Sequence, residues 1–294
     1  MNSPKRNLIL LHLIVFLYGW TAILGKIITL PALQMVWIRV IFALAGILVY
    51  SLYKRSSWLL DIKTIIQLFA IGVLVGVHWI CFFESVKVGN ISIALVCFAS
   101  GSLFTSVMEP FITKRKILLY EIIFGLIVIG ALLLIFNVET EYFVSILFGL
   151  SAAATSALMA ILNSIMRRKK IKPEIISAYE MVGCLACVSI FILILEPQTA
   201  TLIGISNRDW FYLFLFGILC TTFPFIVGVK ILESISPYTM SLTLNLETVY
   251  GILFAFFLFK ESEYMTATFY MGVIIILAVV FADSHMKKQK NLLF

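Results

Sequence analysis

Residues 237–259 read PYTMSLTLNLETVYGILFAFFLF, a run with one carboxylate, Glu247, and no basic residue. About 20 apolar residues are enough for a helix to cross the hydrocarbon core of a bilayer. Runs of the same kind recur along the chain. The spans expected on that scale are 8–28, 32–53, 64–86, 91–112, 119–136, 143–164, 174–195, 209–230, 237–259 and 265–283. Of the 294 residues, 62% are hydrophobic and 13% charged, too few charges to cover a soluble domain of this length. The mean hydropathy is +1.09. Backbone groups in lipid must be paired within the protein, so full helices joined by short turns are the economical solution. Pro31, Pro173, Pro197 and Pro237 fall at or near span ends, where proline is tolerated.

The N-terminal run follows Lys5 and Arg6 as a signal peptide would, but it lacks a small-residue cleavage site and continues to Ile28. It reads as an uncleaved first span. Basic residues orient the whole. With the N-terminus in the cytoplasm, the inward segments hold 17 of the 22 Lys and Arg residues. The largest groups are Lys114 to Lys116 and Arg167 to Lys172. The outward loops hold Lys87, Arg208 and Lys260, while Lys26 and Arg39 lie within spans. Positive residues stay on the cytoplasmic side, so this alternation supports both the span number and two cytoplasmic termini. The expected location is a plasma (inner) membrane. The net charge of +7 is topological, with attraction to anionic lipid headgroups, and implies no nucleic-acid partner. The five cysteines form no disulfide framework, and Cys184 and Cys187 read as small packing residues.

A shift of 147 residues lays the second half over the first. Asn90-Ile91-Ser92 meets Pro237-Tyr238-Thr239, Gly125 meets Gly272, and Ser100 meets Glu247. Five helices per half insert the halves in opposite directions, a carrier plan that holds substrate near the bilayer midplane. The expected fold is an all-α membrane protein of ten helices, built as two inverted five-helix repeats, 1–140 and 141–294.

Ser236-Pro237-Tyr238-Thr239, Leu246-Glu247-Thr248-Val249 and Phe259-Lys260-Glu261 resemble the EamA-type members of the drug/metabolite transporter superfamily. The pattern there has a Ser-Pro start, a mid-helix Glu-Pro and a closing Glu; Thr248 stands where proline is usual. The first half carries Gly101-Ser102 near the corresponding proline and Lys114-Arg115-Lys116 in place of the closing acid. Gly19-Trp20, Lys26 and Arg39 also look like the family's opening helices. The resemblance implies ten helices, inverted repeats, and export or exchange of metabolites such as amino acids.

Ionisable groups inside a membrane face a cavity or a partner. Glu247 reads either as a ligand for a substrate amine or proton, or as a tie between helices. Asn245 and Tyr250 lie beside it, and Ser100 and Ser102 lie at the equivalent depth of the first half. Arg39 suits a carboxylate, or else an ion pair with Glu84. His78 reads either as a proton shuttle, since imidazole in general titrates near neutrality, or as a hydrogen-bonded core histidine. Trp20 and Trp79 either pack or offer rings to a cation. Pro224 cannot donate to the Cys220 carbonyl, and Thr221 and Thr222 beside it either fill the kink or face the cavity. Gly72 and Gly76 allow close helix approach. Glu180 has no evident partner. Neither His-Glu-x-x-His nor Gly-x-Ser-x-Gly occurs, which argues against an intramembrane enzyme. A scaffold would not need buried Glu247 or Arg39. No cofactor or metal is expected, and without a nucleotide-binding loop the coupling partner would be a proton or counter-solute. The oligomeric state stays open.

Overall fold

A computed structural model describes residues 4–114, 116, 119–138, 142–259 and 266–289. Among the described residues the regular structure is helical. The helices are α1 (Pro4–Ile27), α2 (Ala32–Tyr53), α3 (Ile62–Val88), α4 (Ile91–Ala99), α5 (Gly101–Thr113) and α6 (Leu119–Val138). They continue as α7 (Phe143–Arg168), α8 (Pro173–Leu195), α9 (Asn207–Gly217), α10 (Phe223–Ile231), α11 (Pro237–Phe259) and α12 (Ala267–Gln289). Among the described residues, eight spans reach membrane length and hydropathy, with α4 and α5 forming one and α9 and α10 another. α6 and α12 take the fifth and tenth positions. The closing pair Lys260-Glu261, and Arg115, lie outside the described residues.

Side-chain caps set several helix starts. The Asn90 carboxamide accepts the Ile93 N–H at 2.8 Å, and the Ser206 hydroxyl accepts the Asp209 N–H at 3.0 Å. Asn90-Ile91-Ser92 has the pattern of a glycosylation sequon, but Asn90 is buried. Asp61 caps α3 by accepting the Thr64 N–H at 2.9 Å. Hydrogen bonds from the Thr64 side chain and backbone hold the Asp61 carboxyl below the usual carboxylate range. A depressed folded-state value contributes stability above the unfolded value and loses it as pH falls through the folded one. Asp61→Ala is therefore expected to lower the melting temperature at neutral pH. Melts at descending pH should show the gap between wild type and variant closing.

The two halves repeat one another's helix contacts. α3 packs on α7 and α8, and its counterpart α9–α10 packs on α1 and α2. α1 packs on α11, while α7 packs on α4 and α5; α6 packs on α12. Small residues allow the closest crossings. A Cβ added to Gly72 would collide with the Glu180 backbone, and one added to Gly183 would collide with the Phe69 backbone. Gly76 meets Cys184 and Cys187, the packing role expected of those cysteines. In lipid such contacts supply association through dispersion and not through water release. Gly72→Leu must part α3 from α8, with an overpacking cost of about 1–3 kcal/mol or more. A marked loss of monodisperse protein on gel filtration is the expected result.

The two repeats depart from symmetry at two places. The fourth span breaks at Ser100, whose N–H and hydroxyl both reach the Cys97 carbonyl, at 3.1 and 2.6 Å. Its counterpart α11 is continuous. In the eighth span, Ile218–Thr222 form a turn of π-helix just before Pro224. The Thr221 and Thr222 hydroxyls donate to the Phe216 and Gly217 carbonyls at 2.7 and 3.1 Å. Threonine thus fills the kink, but with carbonyls five residues back and not with that of Cys220.

Candidate functional site

Three faces of α11 separate its polar residues. Met240, Leu244 and Glu247, spaced by four and three, line a cavity. Ser241, Asn245 and Thr248 turn toward the fourth span. Ser241 shares a hydrogen bond with Thr105 at 2.9 Å, and Asn245 Nδ2 donates to Ser102 Oγ at 3.2 Å. Thr248 Oγ1 donates to the Leu95 carbonyl at 2.9 Å, giving a direct role to the residue that replaces the usual proline. Tyr250 lies on the third face, its ring 5.6 Å from that of Phe16 on α1. Trp20 stacks on Phe254 at 4.6 Å along the same seam. The ties between α11 and the fourth span are therefore made by neighbours of Glu247. Glu247 itself, only 5% exposed, has no hydrogen-bond partner among the described residues.

The cavity holds about 820 Å³ free of protein atoms, open solvent at its mouth included. α1 contributes Tyr18 and Thr21, α3 contributes His78 and Trp79, and Arg39 and Thr221 meet at mid-depth. Arg39 is 2% exposed. Its guanidinium lies 4.1 Å from the ring centroids of both Trp79 and Phe216, and Nε donates to Thr221 Oγ1 at 2.7 Å. Nη1 has no partner among the described residues, and the alternative ion pair with Glu84 is not formed. Aromatic faces stabilise a buried cation only in part. A guanidinium and a carboxylate that form no direct ion pair with one another thus border one cavity.

His78 Nδ1 donates to the Ala152 carbonyl at 2.8 Å, since a carbonyl can only accept. Nε2 is left as the ring's other site, on a side chain that lines the cavity. On α7, Ser156, Met159, Ala160 and Asn163 follow helical spacing along the wall.

Four of the expected site residues, Arg39, His78, Trp79 and Glu247, are therefore brought together. Asn245, Tyr250, Ser102 and Trp20 hold helices to one another, and Ser100 bonds within its own span. Thr222 bonds the Ala43 carbonyl at 3.2 Å, so Thr221 and not Thr222 is the cavity threonine. Sequence reasoning missed Tyr18, Ser156 and Asn163. The i, i+7 spacing of Ser156 and Asn163 along α7 was the available signal.

The cavity wall runs from the rings of Trp79, Phe82, Phe83 and Phe98 to Asn163, Leu232 and Met240. Beyond the rings, the Thr29 N–H and hydroxyl donate to the Asp209 carboxylate at 3.1 and 2.7 Å. Lys87 Nζ donates to the Ile28 carbonyl there at 2.5 Å. The other limit lies toward the end of the bundle that carries Arg167 and Arg168, where Arg167 pairs with Glu233.

Opposed helical repeats around a mid-depth polar cavity make the architecture of a membrane carrier. The chain matches the model of the EamA-like transporter family over residues 5–137 and again over 143–282, and it belongs to that family, within the drug/metabolite transporter superfamily. A crystal structure described only as "Crystal structure of protein" superposes with a TM-score of 0.71 at 11% identity. The match covers 98% of this chain and 99% of the other, and at that identity it concerns the fold alone. No curated protein matches the sequence.

Proposed function

We propose that this protein is an inner-membrane secondary transporter that exports or exchanges amino acids or closely related zwitterionic metabolites by alternating access. The observation that carries the reading is the pair of unmatched charges on one cavity. A solute ammonium group pairs with Glu247 and a solute carboxylate with Arg39, whose planar fork suits two oxygens. Each charge is costly to bury alone. A zwitterion offsets both, whereas a simple amine or a simple acid leaves one unpaired. His78 and the Thr21 and Ser156 hydroxyls supply further polar contacts.

The positive-inside distribution puts the Arg167 end and both termini in the cytoplasm. In that orientation the cavity reaches toward the cytoplasm, and the rings beside Arg39 close it from outside. Transport then requires the repeats 1–140 and 141–294 to rock about the midplane. The turns at Ser100 and at Ile218–Thr222 offer sites for that motion, because both interrupt regular α-helical hydrogen bonding.

The test is counterflow in proteoliposomes with labelled amino acids, simple amines and simple carboxylic acids. Zwitterions should exchange and compete with one another, and each singly charged analogue should compete at least about tenfold more weakly, given about 1.5–3 kcal/mol for a charged hydrogen bond. Folded protein with no flux across the whole set would overturn the assignment and favour a scaffold or enzyme.

A further inference from the structure

Behind the cavity wall lies a second ionisable group that solute binding does not use. Glu180 on α8 is 0% exposed, and its Oε1 has no hydrogen-bond partner among the described residues. Oε2 receives only a long bond, 3.4 Å, from Asn163 Nδ2. The other end of that amide, Asn163 Oδ1, is also buried and unpaired. Ser177 Oγ, three residues before Glu180 on the same helix, is a third unpaired buried oxygen. Glu180 thus pairs with no cation, and the one donor that reaches it is a long amide N–H, while the Asn163 carbonyl oxygen beside it lacks a donor. That pattern is costly for a carboxylate and suits a carboxylic acid, which brings its own donor.

We propose that Glu180 is a proton-binding site, separate from the solute cavity, and that Asn163 couples its protonation to transport; the transport part rests on the carrier reading above. When Glu180 is ionised, Oε2 accepts from Asn163 Nδ2, as placed here. When it is protonated, the Oε2–H donates to Asn163 Oδ1, which requires a half-turn of the amide. Asn163 also lines the cavity, so that half-turn alters the cavity wall. The proton comes from cavity water and returns to it. The neutral form removes the buried charge and favours tight closure of α3, α7 and α8.

The surrounding groups leave Glu180 without a competing counterion. On its own helix Tyr179 donates to the Trp58 carbonyl, and Cys184 lies one turn on. α3 presents the backbone at Gly72, and its cavity imidazole, His78, is held by Ala152. α7 carries Arg167, one turn beyond Asn163, but the Ile171 carbonyl and Glu233 engage it. On α2, Arg39 is held by Thr221 and the rings. α10 offers Lys230, which forms no ion pair with Glu180 among the described residues.

The experiment is infrared difference spectroscopy of the full-length protein in lipid nanodiscs, titrated with acid in deuterated buffer. Wild type and Glu247→Gln should both show a carboxylic-acid C=O band that titrates, and Glu180→Gln should lack it. Asn163→Ala should keep the band but shift it to higher frequency, since a hydrogen bond to the acid is lost. A band that survives in Glu180→Gln overturns the proposal. So does its absence from wild type at every pH, or a carboxylate signal that follows NaCl and not acid. In proteoliposomes, an imposed gradient of about one pH unit should drive up to about tenfold accumulation of labelled amino acid. Glu180→Gln should still exchange label but should accumulate none. Accumulation equal to wild type overturns the coupling. The infrared result needs no substrate, so failure of the whole solute panel would sink the amino-acid reading and leave the proton site standing.

Discussion

Glu247→Gln should abolish discrimination for the solute amine while leaving the fold intact. The substitution keeps the shape and removes the charge. A charge-assisted hydrogen bond contributes about 1.5–3 kcal/mol, and truncating one partner of a buried charged pair costs about 2–5 kcal/mol. Zwitterion affinity should therefore fall at least about tenfold and by as much as several thousandfold, read as the half-saturating concentration in counterflow. The corresponding carboxylic acid without an amine should gain relative to the zwitterion, because it no longer meets an unpaired carboxylate. Thermal stability should hold or rise, since no hydrogen bond of Glu247 is lost among the described residues. A wild-type preference for the zwitterion in this variant would exclude Glu247 as the amine ligand.

Arg39→Met is the complementary case and separates recognition from packing. Methionine keeps an unbranched apolar side chain between Trp79 and Phe216 and removes the guanidinium. Thr221 Oγ1 loses the Arg39 donor but keeps its own bond to the Phe216 carbonyl. Folded yield is expected to hold, while carboxylate-bearing solutes lose about tenfold or more in affinity and simple amines lose little. Arg39→Lys should behave differently. It keeps a charge but loses the stacked plane and the Nε bond, so both yield and affinity should fall. If Arg39→Met fails to fold while Arg39→Lys folds and transports normally, the guanidinium is there for structure.

The mid-depth neighbourhood of Glu247 shows how far one-dimensional reading reaches. Its depth followed from the apolar run around it, and its burial from the cost of a carboxylate in lipid. Asn245, Tyr250 and Thr248 sit within three residues of it, yet Asn245 and Thr248 face the fourth span and Tyr250 faces α1, while Glu247 faces the cavity. A helix turns about 100° per residue, so proximity along the chain says little about shared direction. The same limit applies at Thr221 and Thr222, adjacent residues of which one meets Arg39 and the other meets Ala43. The π turn there adds a residue, and ordinary helical spacing would not assign the two correctly. Glu180 and Asn163 lie 17 residues apart on different helices, and no spacing rule joins them.

The apolar run 237–259 and its counterparts determined, without any contacts, that the chain crosses a membrane repeatedly. Lipid demands internal hydrogen bonding and length alone sets a crossing, so composition and period suffice. The half-length shift likewise made the opposed repeats legible, because hydropathy survives where residue identity does not. Tertiary structure alone decided which polar groups meet. Contacts among α1, α2, α3, α7, α10 and α11 depend on helix rotation and on close crossings such as Gly72 against Glu180. Small differences in packing set those rotations, and an apolar helix surface in lipid carries no hydropathy signal to reveal them. That is why Arg39 and Glu247 could each be suspected from the sequence, and why only the folded bundle places them on the wall of one cavity.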